Sequence, residues 1–547
     1  MSQEFLCYDV KGIQSYVFAV PRLRYIVGGS ALLDDFDRRV VPEIAPAAHV
    51  YSAGGKGAFV VGSADEARRI RERLVREAHA RGFDIAFGLA SEFSTAANEA
   101  RDLVPFVPAS LDGEPCAASG LYPVPPGEGQ GFREDARGVH PVVWKRIRAH
   151  GERTADSLTD RLVRGTPDAT AEGLSVTLPD ALRGRSARFF STVTPGEEGD
   201  DDDEGRAGAR SIGARNRWAI VAMDGNDMGA QYRAFFAEPR APHDQVRWLR
   251  ALAGAVDRCT TGACVAGIEA VLGRWARDLS SQELERTTTR TGSVVLPIRP
   301  LVVGGDDLIV LVHADHAMAF VKAAAARFEV LAERSDREAG GLFVGTGGRI
   351  TLSAGVLYAP VSLPLSTAIP YAESLLASAK KGGRARREAS GPTKPIPAPA
   401  CVDWESVTEG LLDTPAARRQ RELRFRDADL GEVVELTERP FAIADLGGLE
   451  ELADELSRLP RSLQQSVREG LSMPYHERCA FVARLGKRGA VKALVERLDE
   501  PAEPLAERRR RGSRWRRAAN GLRTTDLLDA LLLVQESRRM EKETADA

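Results

Sequence analysis

The chain has 547 residues, with 75 Lys plus Arg against 78 Asp plus Glu and a formal net charge of −3. At roughly 100–200 residues per domain this length predicts several domains, and the near-neutral balance excludes an overall nucleic-acid signature, so any such surface is local. No basic segment followed by an apolar core opens the sequence and charges interrupt the longest apolar runs, so neither a secretion signal nor a membrane span is visible. Six scattered cysteines without CxxC spacing fit a thiol-reducing cytoplasm and argue against a zinc site built of cysteines alone.

In chain order, Phe5 to Val10 reads as a strand, and His49 to Val61 as a strand–glycine–strand hairpin turning at Gly54-Gly55. A helix over 64–81 and a strand over 85–90 follow. From Pro105 to Arg215 the pattern weakens. Pro123 to Gly127 is a loop, Val142 to Val163 a helix, and Glu197 to Glu204 a block of like charges that reads as a linker.

Trp218 to Met223 is a short apolar strand that ends in Asp224-Gly225-Asn226-Asp227, before a helix from Ala230 to Phe236. Asp244 to Arg277 carries helical periodicity and reads as an insertion. Then come two β-branched runs, Leu301-Val302-Val303 and Leu308 to Val312, hinged on Gly304-Gly305-Asp306-Asp307. This is a β-hairpin whose glycines supply the positive φ of a primed turn. Adjacent carboxylates at a rigid edge repel each other, and a hard divalent cation, Mg²⁺ or Mn²⁺, relieves that repulsion. The bland alternative is a solvated Gly-Asp turn. Asp224, a third carboxylate at a strand end, favours metal.

His313 and His316 are expected in a solvated loop. Ile350 to Tyr358, containing Ser353, is another strand, and Ile369 to Lys381 an amphipathic helix that brings Lys380 and Lys381 where a triphosphate would lie. Pro392 to Pro399 is a stiff linker. Beyond it the pattern is helical to Ala547. The Arg508–Arg517 run around Trp515 reads either as a phosphate-tracking, base-stacking surface or as a salt-bridged helix face. The order strand, helix, glycine hairpin, helix, strand occurs twice, which predicts an α+β fold built on a duplicated ferredoxin-like unit with a C-terminal helical domain. The expected domains are 1–105, 106–215, 216–390 and 400–547.

DGNDMG, GGDDL, SAGV and a helix ending in AKK together resemble the second palm domain of Cas10/Cmr2 proteins, the large subunits of type III CRISPR effectors and relatives of GGDEF and class III nucleotidyl cyclases. The resemblance runs from Arg217 to about Arg387, and more loosely to the N-terminus, where Lys56 stands near the place of the acidic pair. An early first strand leaves no room for the family's HD nuclease domain, and Cys116 alone cannot build its zinc ribbon. The resemblance implies a metal-dependent nucleotidyltransferase that converts nucleoside triphosphates, ATP favoured, into cyclic or linear oligonucleotide messengers in prokaryotic antiviral defence. Asp224, Asp306 and Asp307 would be catalytic and hold the metal. Gly304, Gly305, Gly225, Asn226, Ser353, Lys380, Lys381, Gly54 and Gly55 would bind nucleotide. Two alternatives stand beside it: a scaffold subunit of a CRISPR-type complex that binds RNA and partner subunits with an idle palm, and a GGDEF-like cyclic dinucleotide synthase.

Overall fold

The computed structural model describes residues 3–103 (without 19 and 21), 172–190, 217–391, 396–408, 413–486, 514–517 and 522–537, with isolated positions between 114 and 210. The acidic block 197–204, Cys116, most of the expected helix 142–163 and most of the basic run lie outside the described residues.

The first unit is β1 (Glu4–Lys11), α1 (Leu23–Asp35), β2 (His49–Ala53), β3 (Lys56–Val61), α2 (Ala64–Arg81), β4 (Asp84–Ala90) and α3 (Phe93–Asp102), with sheet order β2-β3-β1-β4. Helix α2 has the bounds its sequence dictates. Ser63 accepts the Glu66 amide at the N-terminus, and Gly82 closes the C-terminus at φ 82°. The second unit repeats the plan with β5 (Arg217–Gly225), α4 (Met228–Phe235), α5 (Pro242–Asp278), β6 (Ile298–Gly304), β7 (Asp307–His313), α6 (Ala317–Ala339), β8 (Leu352–Pro360) and α7 (Leu365–Ala389). Its sheet begins β6-β7-β5-β8, the same order, then continues with β9 (Cys401–Ser406) and β12 (Phe441–Ala442). The mixed α+β fold is thus as expected. One expectation is corrected: α5 is no insertion but the first crossover helix of the second unit, at the place of α1 in the first.

Strand β5 is apolar on both faces because both are covered. Ala219, Val221 and Met223 share a core with α5 and α6, whereas Trp218, Ile220 and Ala222 share the other with α7 and with Leu6, Tyr8 and Val10 of the first unit. The units pack reciprocally. Ser30 on α1 donates to the Leu301 carbonyl of β6, and Arg250 on α5 donates to the His49 carbonyl of β2 at 2.6 Å.

The duplication also shows in two glycines. Gly88 on β4 lies opposite Cys7, and Gly355 on β8 lies opposite Ala222, each pair two residues short of the strand-end aspartate, Asp9 or Asp224. A Cβ on Gly355 would sit 2.2 Å from the Ala372 carbonyl oxygen of α7, and one on Gly88 2.0 Å from that of Ala96 on α3. Gly355→Ala is therefore expected to push α7 off the sheet and cost about 1–3 kcal/mol, read as a lower melting temperature. An unchanged melt would mean that the helix is not held by this contact.

The helical expectation for 400–547 is corrected in part. Helices α9 (Leu446–Ser457), α10 (Arg461–Leu471), α11 (Tyr475–Gly486) and α12 (Leu527–Ser537) are there, but so is a sheet of β10 (Arg424–Arg426), β11 (Val433–Glu435), β14 (Arg523–Thr525) and β13 (Trp515–Arg517), and α8 (Pro415–Glu422) precedes it. Strands this short carry too few alternations to register as period two. Trp515 is only 3 % exposed, with the Arg478 guanidinium over its ring, and Arg514 and Arg516 pair with Asp526 and Glu438. The described end of the basic run is thus an ion-paired edge, and Trp515 offers no face to a base. His313 and His316, expected in solvent, are buried.

Candidate active site

The β6–β7 hairpin turns on Gly305 and Asp306, with Gly304 paired to Asp307 and Gly305 at φ 59°. Only one glycine, Gly305, needs the left-handed region. Across the sheet Asp307 lies directly opposite Asp224, which in turn lies opposite Ser353 on β8. Asp306 packs over Gly225, where a Cβ would come within 3.2 Å of the Asp306 Cβ. The three aspartates expected from separate places in the sequence are therefore neighbours.

Their electrostatics are those of crowded like charges. Burial, then the Asp224 and Asp307 carboxylates, hold the Asp306 carboxyl well above the usual range. Asp307 is raised to about 6 by burial and then by Asp224, while Lys380 and Lys56 pull it down; its tip is open to solvent, which softens the shift. Lys56 begins β3 opposite Asp9, as Asp307 begins β7 opposite Asp224. The first unit thus carries a lysine at the register of the acidic residue, and its charge acts on Asp307.

Lys380 on α7 donates to the Asp224 carboxylate and, at 2.9 Å, to the Gly225 carbonyl. Lys381, one position on, is exposed and points elsewhere. Two other expectations are corrected. Asn226 and Ser353 are buried, and the Asn226 amide donates to the Thr351 hydroxyl at 2.7 Å and the Ser353 hydroxyl at 2.9 Å. Ser353 also accepts the Cys401 amide. Their side chains fix the turn to β8 and are not presented to a nucleotide.

Carboxylates beside a backbone carbonyl are the donor set a hard divalent ion takes, and the raised Asp306 and Asp307 groups are the stress such an ion relieves. Yet among the described residues no three acidic, histidine or cysteine side chains are arranged around one point. Lys380 instead places its ammonium on Asp224 and Gly225, where a cation would bind. The residues fit Mg²⁺ or Mn²⁺ in kind, with Lys380 standing in.

Behind the hairpins lies a cleft of about 350 Å³. Gly54 and Gly304-Gly305 line it, between Asp34 at the end of α1, Asp37 just beyond it, and Arg250 and Asp257 of α5. Gly54 and Gly55 have φ of 59° and 73°, so both are left-handed. The sequence reading missed what holds that tip: the buried Asp37 carboxylate, which accepts the Gly55 amide at 2.7 Å. Burial pushes Asp37 up to about 7. A carboxyl raised on folding stabilises while protonated and loses that contribution as pH rises through its folded pKa. Asp37→Asn, which mimics the protonated form, should therefore melt higher than wild type at pH 8, with the difference shrinking as pH falls from about 7 towards the unfolded carboxyl's 3.8. The reverse order would show that the charge is needed. Glu373 was missed too. It lies seven residues before Lys380 on one helix face, accepts from Gln14 of the first unit, and is raised to about 7 by burial and then by Asp307.

Residues 217–389, which carry the Asp224–Asp307 pairing, match the family described as Cas10/Cmr2, second palm domain. Residues 217–389 are a Cas10/Cmr2 second palm. Among solved structures, Csm1 in T. onnurineus is similar at 15 % identity and a TM-score of 0.51, covering 98 % of this chain and 70 % of that one. Csm1–Csm4 cassettes in complex with cA4 and with AMPPNP are similar over 98 % of this chain and 70 % of theirs, at 14 % and 15 % identity and TM-scores of 0.45 and 0.47. No curated protein matches the chain. In the palm, Asp306 and Asp307 form the hairpin tip, and α7 is the helix that covers the sheet beside it.

Proposed function

We propose that the chain is a nucleotidyltransferase that joins nucleoside triphosphates, ATP favoured, into cyclic or linear oligonucleotides with release of pyrophosphate. The observation that carries this reading is Asp307 opposite Asp224 with Asp306 beside them, at hairpins that border an inter-palm cleft. The cleft volume lies in the range of about 300–1,000 Å³ common for small-molecule sites. Asp224, Asp306 and Asp307 would hold Mg²⁺ or Mn²⁺, which when bound supplies charge stabilisation at the attacking and leaving oxygens. A ribose hydroxyl of one nucleotide attacks the α-phosphorus of another. The new P–O bond forms as the hydroxyl proton passes to solvent, the bond to the bridging oxygen breaks and pyrophosphate leaves. Lys380 and the amides of the glycine turns neutralise the β- and γ-phosphates, and Lys56 serves the acceptor nucleotide.

Csm1–Csm4 cassettes of similar fold are in complex with cA3, cA4, AMPPNP and ATP, which supports an adenine nucleotide here. In those cassettes Csm1 is joined to Csm4, which supports work inside an RNA-guided antiviral assembly. Free cysteines throughout the described residues, and no described helix long and apolar enough to cross a membrane, suit the cytoplasm. One observation favours the second reading, a scaffold with an idle palm: the Lys380 ammonium already neutralises Asp224. Incubation of the purified chain with each nucleoside triphosphate and either metal, followed by pyrophosphate release and product mass spectrometry, separates them. An oligonucleotide product supports transfer, a cyclic dinucleotide would make it a GGDEF-like synthase, and no turnover with any combination favours the scaffold.

A further inference from the structure

Three residues after Asp224 stands Asp227, at φ 59° and the only non-glycine residue with positive φ among those described. Such a backbone costs of order 1 kcal/mol or more and persists only where its surroundings over-determine it. Here they do. One Asp227 carboxylate oxygen accepts from the Arg387 guanidinium at 2.8 Å and from the Ala398 amide at 2.8 Å, and the side chain is 11 % exposed. The Ala398 carbonyl in turn accepts from the Thr351 hydroxyl at 2.6 Å, and Thr351 accepts the Asn226 side chain and, at its carbonyl, the Asn226 amide. The hydrogen bonds close a ring through Asp227, Ala398, Thr351 and Asn226.

That ring and the Arg387 bond tie the turn after β5 to three other places in the chain. These are the start of β8, the end of the proline linker, and the last turns of α7. Arg387 lies seven residues beyond Lys380 on α7, so one helix face reaches this turn twice, at Asp224 and Gly225 through Lys380 and at Asp227 through Arg387.

We infer that Asp227, held by Arg387 and Ala398, is a positioning residue that fixes the Asp224 carboxylate and the Gly225 carbonyl for a divalent cation. Its carboxylate faces Arg387 and the linker and is no ligand itself, although it shares a short acidic motif with Asp224. This inference rests on the proposed nucleotidyltransferase reading. Partners of a ligand's own support set metal affinity by about 10–100-fold in known sites.

The test is Mn²⁺ binding to the full chain, read as loss of the free-ion paramagnetic resonance signal, beside thermal melting. Asn tolerates positive φ as Asp does, so Asp227→Asn removes the charge and leaves the backbone allowed. Asp227→Asn is expected to weaken Mn²⁺ about 10–100-fold with little change in melting, and raising Mn²⁺ should restore the rate of pyrophosphate release. A merely structural role would lower melting and would not respond to metal. Arg387→Ala approaches the same pair from the other side and is expected to copy the loss, with Arg387→Lys recovering part of it. If both Asp227→Asn and Arg387→Ala bind Mn²⁺ within twofold of wild type while Asp306→Ala/Asp307→Ala abolishes binding, the inference fails and the site reading stands. If wild type binds no Mn²⁺, both fall.

Discussion

Asp306→Ala/Asp307→Ala is expected to reduce nucleotidyl transfer by at least about 10³-fold, since a metal's stabilisation is worth several kcal/mol at 1.36 kcal/mol per tenfold in rate. The same variant should gain stability in chelator at neutral pH. Asp307 rises from the ordinary 3.8 to about 6 on folding, and Asp306 is raised as well, by burial and by its two carboxylate neighbours. A carboxyl raised in the folded state stabilises below its unfolded pKa and loses that contribution as pH climbs through its folded one. Metal-free wild type therefore falls against the variant as pH rises from the unfolded 3.8 to the folded value of about 6 at Asp307, and the difference closes on acidification. Melting curves at these pH values with chelator check this. A variant that melts well below wild type at pH 8 would show the pair to be structural.

Arg419→Ala should give the largest loss of stability. On β9, Asp403 is fully buried and Glu405 5 % exposed. The Arg419 guanidinium grips Asp403 with two bonds, of 2.8 and 2.6 Å, and Glu405 with one of 2.8 Å. Arg439 continues the network to Glu405 at 3.4 Å and to the buried Asp529 at 2.8 Å. Removing one partner strands a buried charge, which costs about 3–5 kcal/mol. Arg419→Lys keeps the charge but loses the two-pronged fit, so it should recover only part. Urea unfolding measures both. A cost below about 1 kcal/mol for Arg419→Ala would mean that water reaches Asp403.

The palm was legible because its strands are long, apolar and bounded by glycine, and because α2 begins at a serine cap and ends at a glycine. The acidic hairpin was legible for the same reason, since GGDD has one way to turn between two β-branched runs. What the sequence hid was held by long-range partners. β9 carries Asp403 and Glu405, which look like surface charges until Arg419 and Arg439 are seen beside them. Asn226 and Ser353 looked like ligand groups because polar residues near a catalytic motif do, and only the strand register shows them bonded to each other. Asp37 sits among Asp34, Asp35, Arg38 and Arg39, where nothing local marks the one carboxylate that turns inward to Gly55. The match of Gly88 with Gly355 needs both registers before it can be seen at all.

The central claim is that Asp224, Asp306 and Asp307 together hold a divalent cation against a nucleoside triphosphate. Anomalous scattering from crystals grown with Mn²⁺ and a non-hydrolysable ATP analogue tests it directly. The account predicts a peak in contact with Asp224 and the Asp306–Asp307 tip, with Lys380 moved off Asp224 towards the phosphates. A peak elsewhere, or Lys380 still on Asp224 with nucleotide bound, would contradict it.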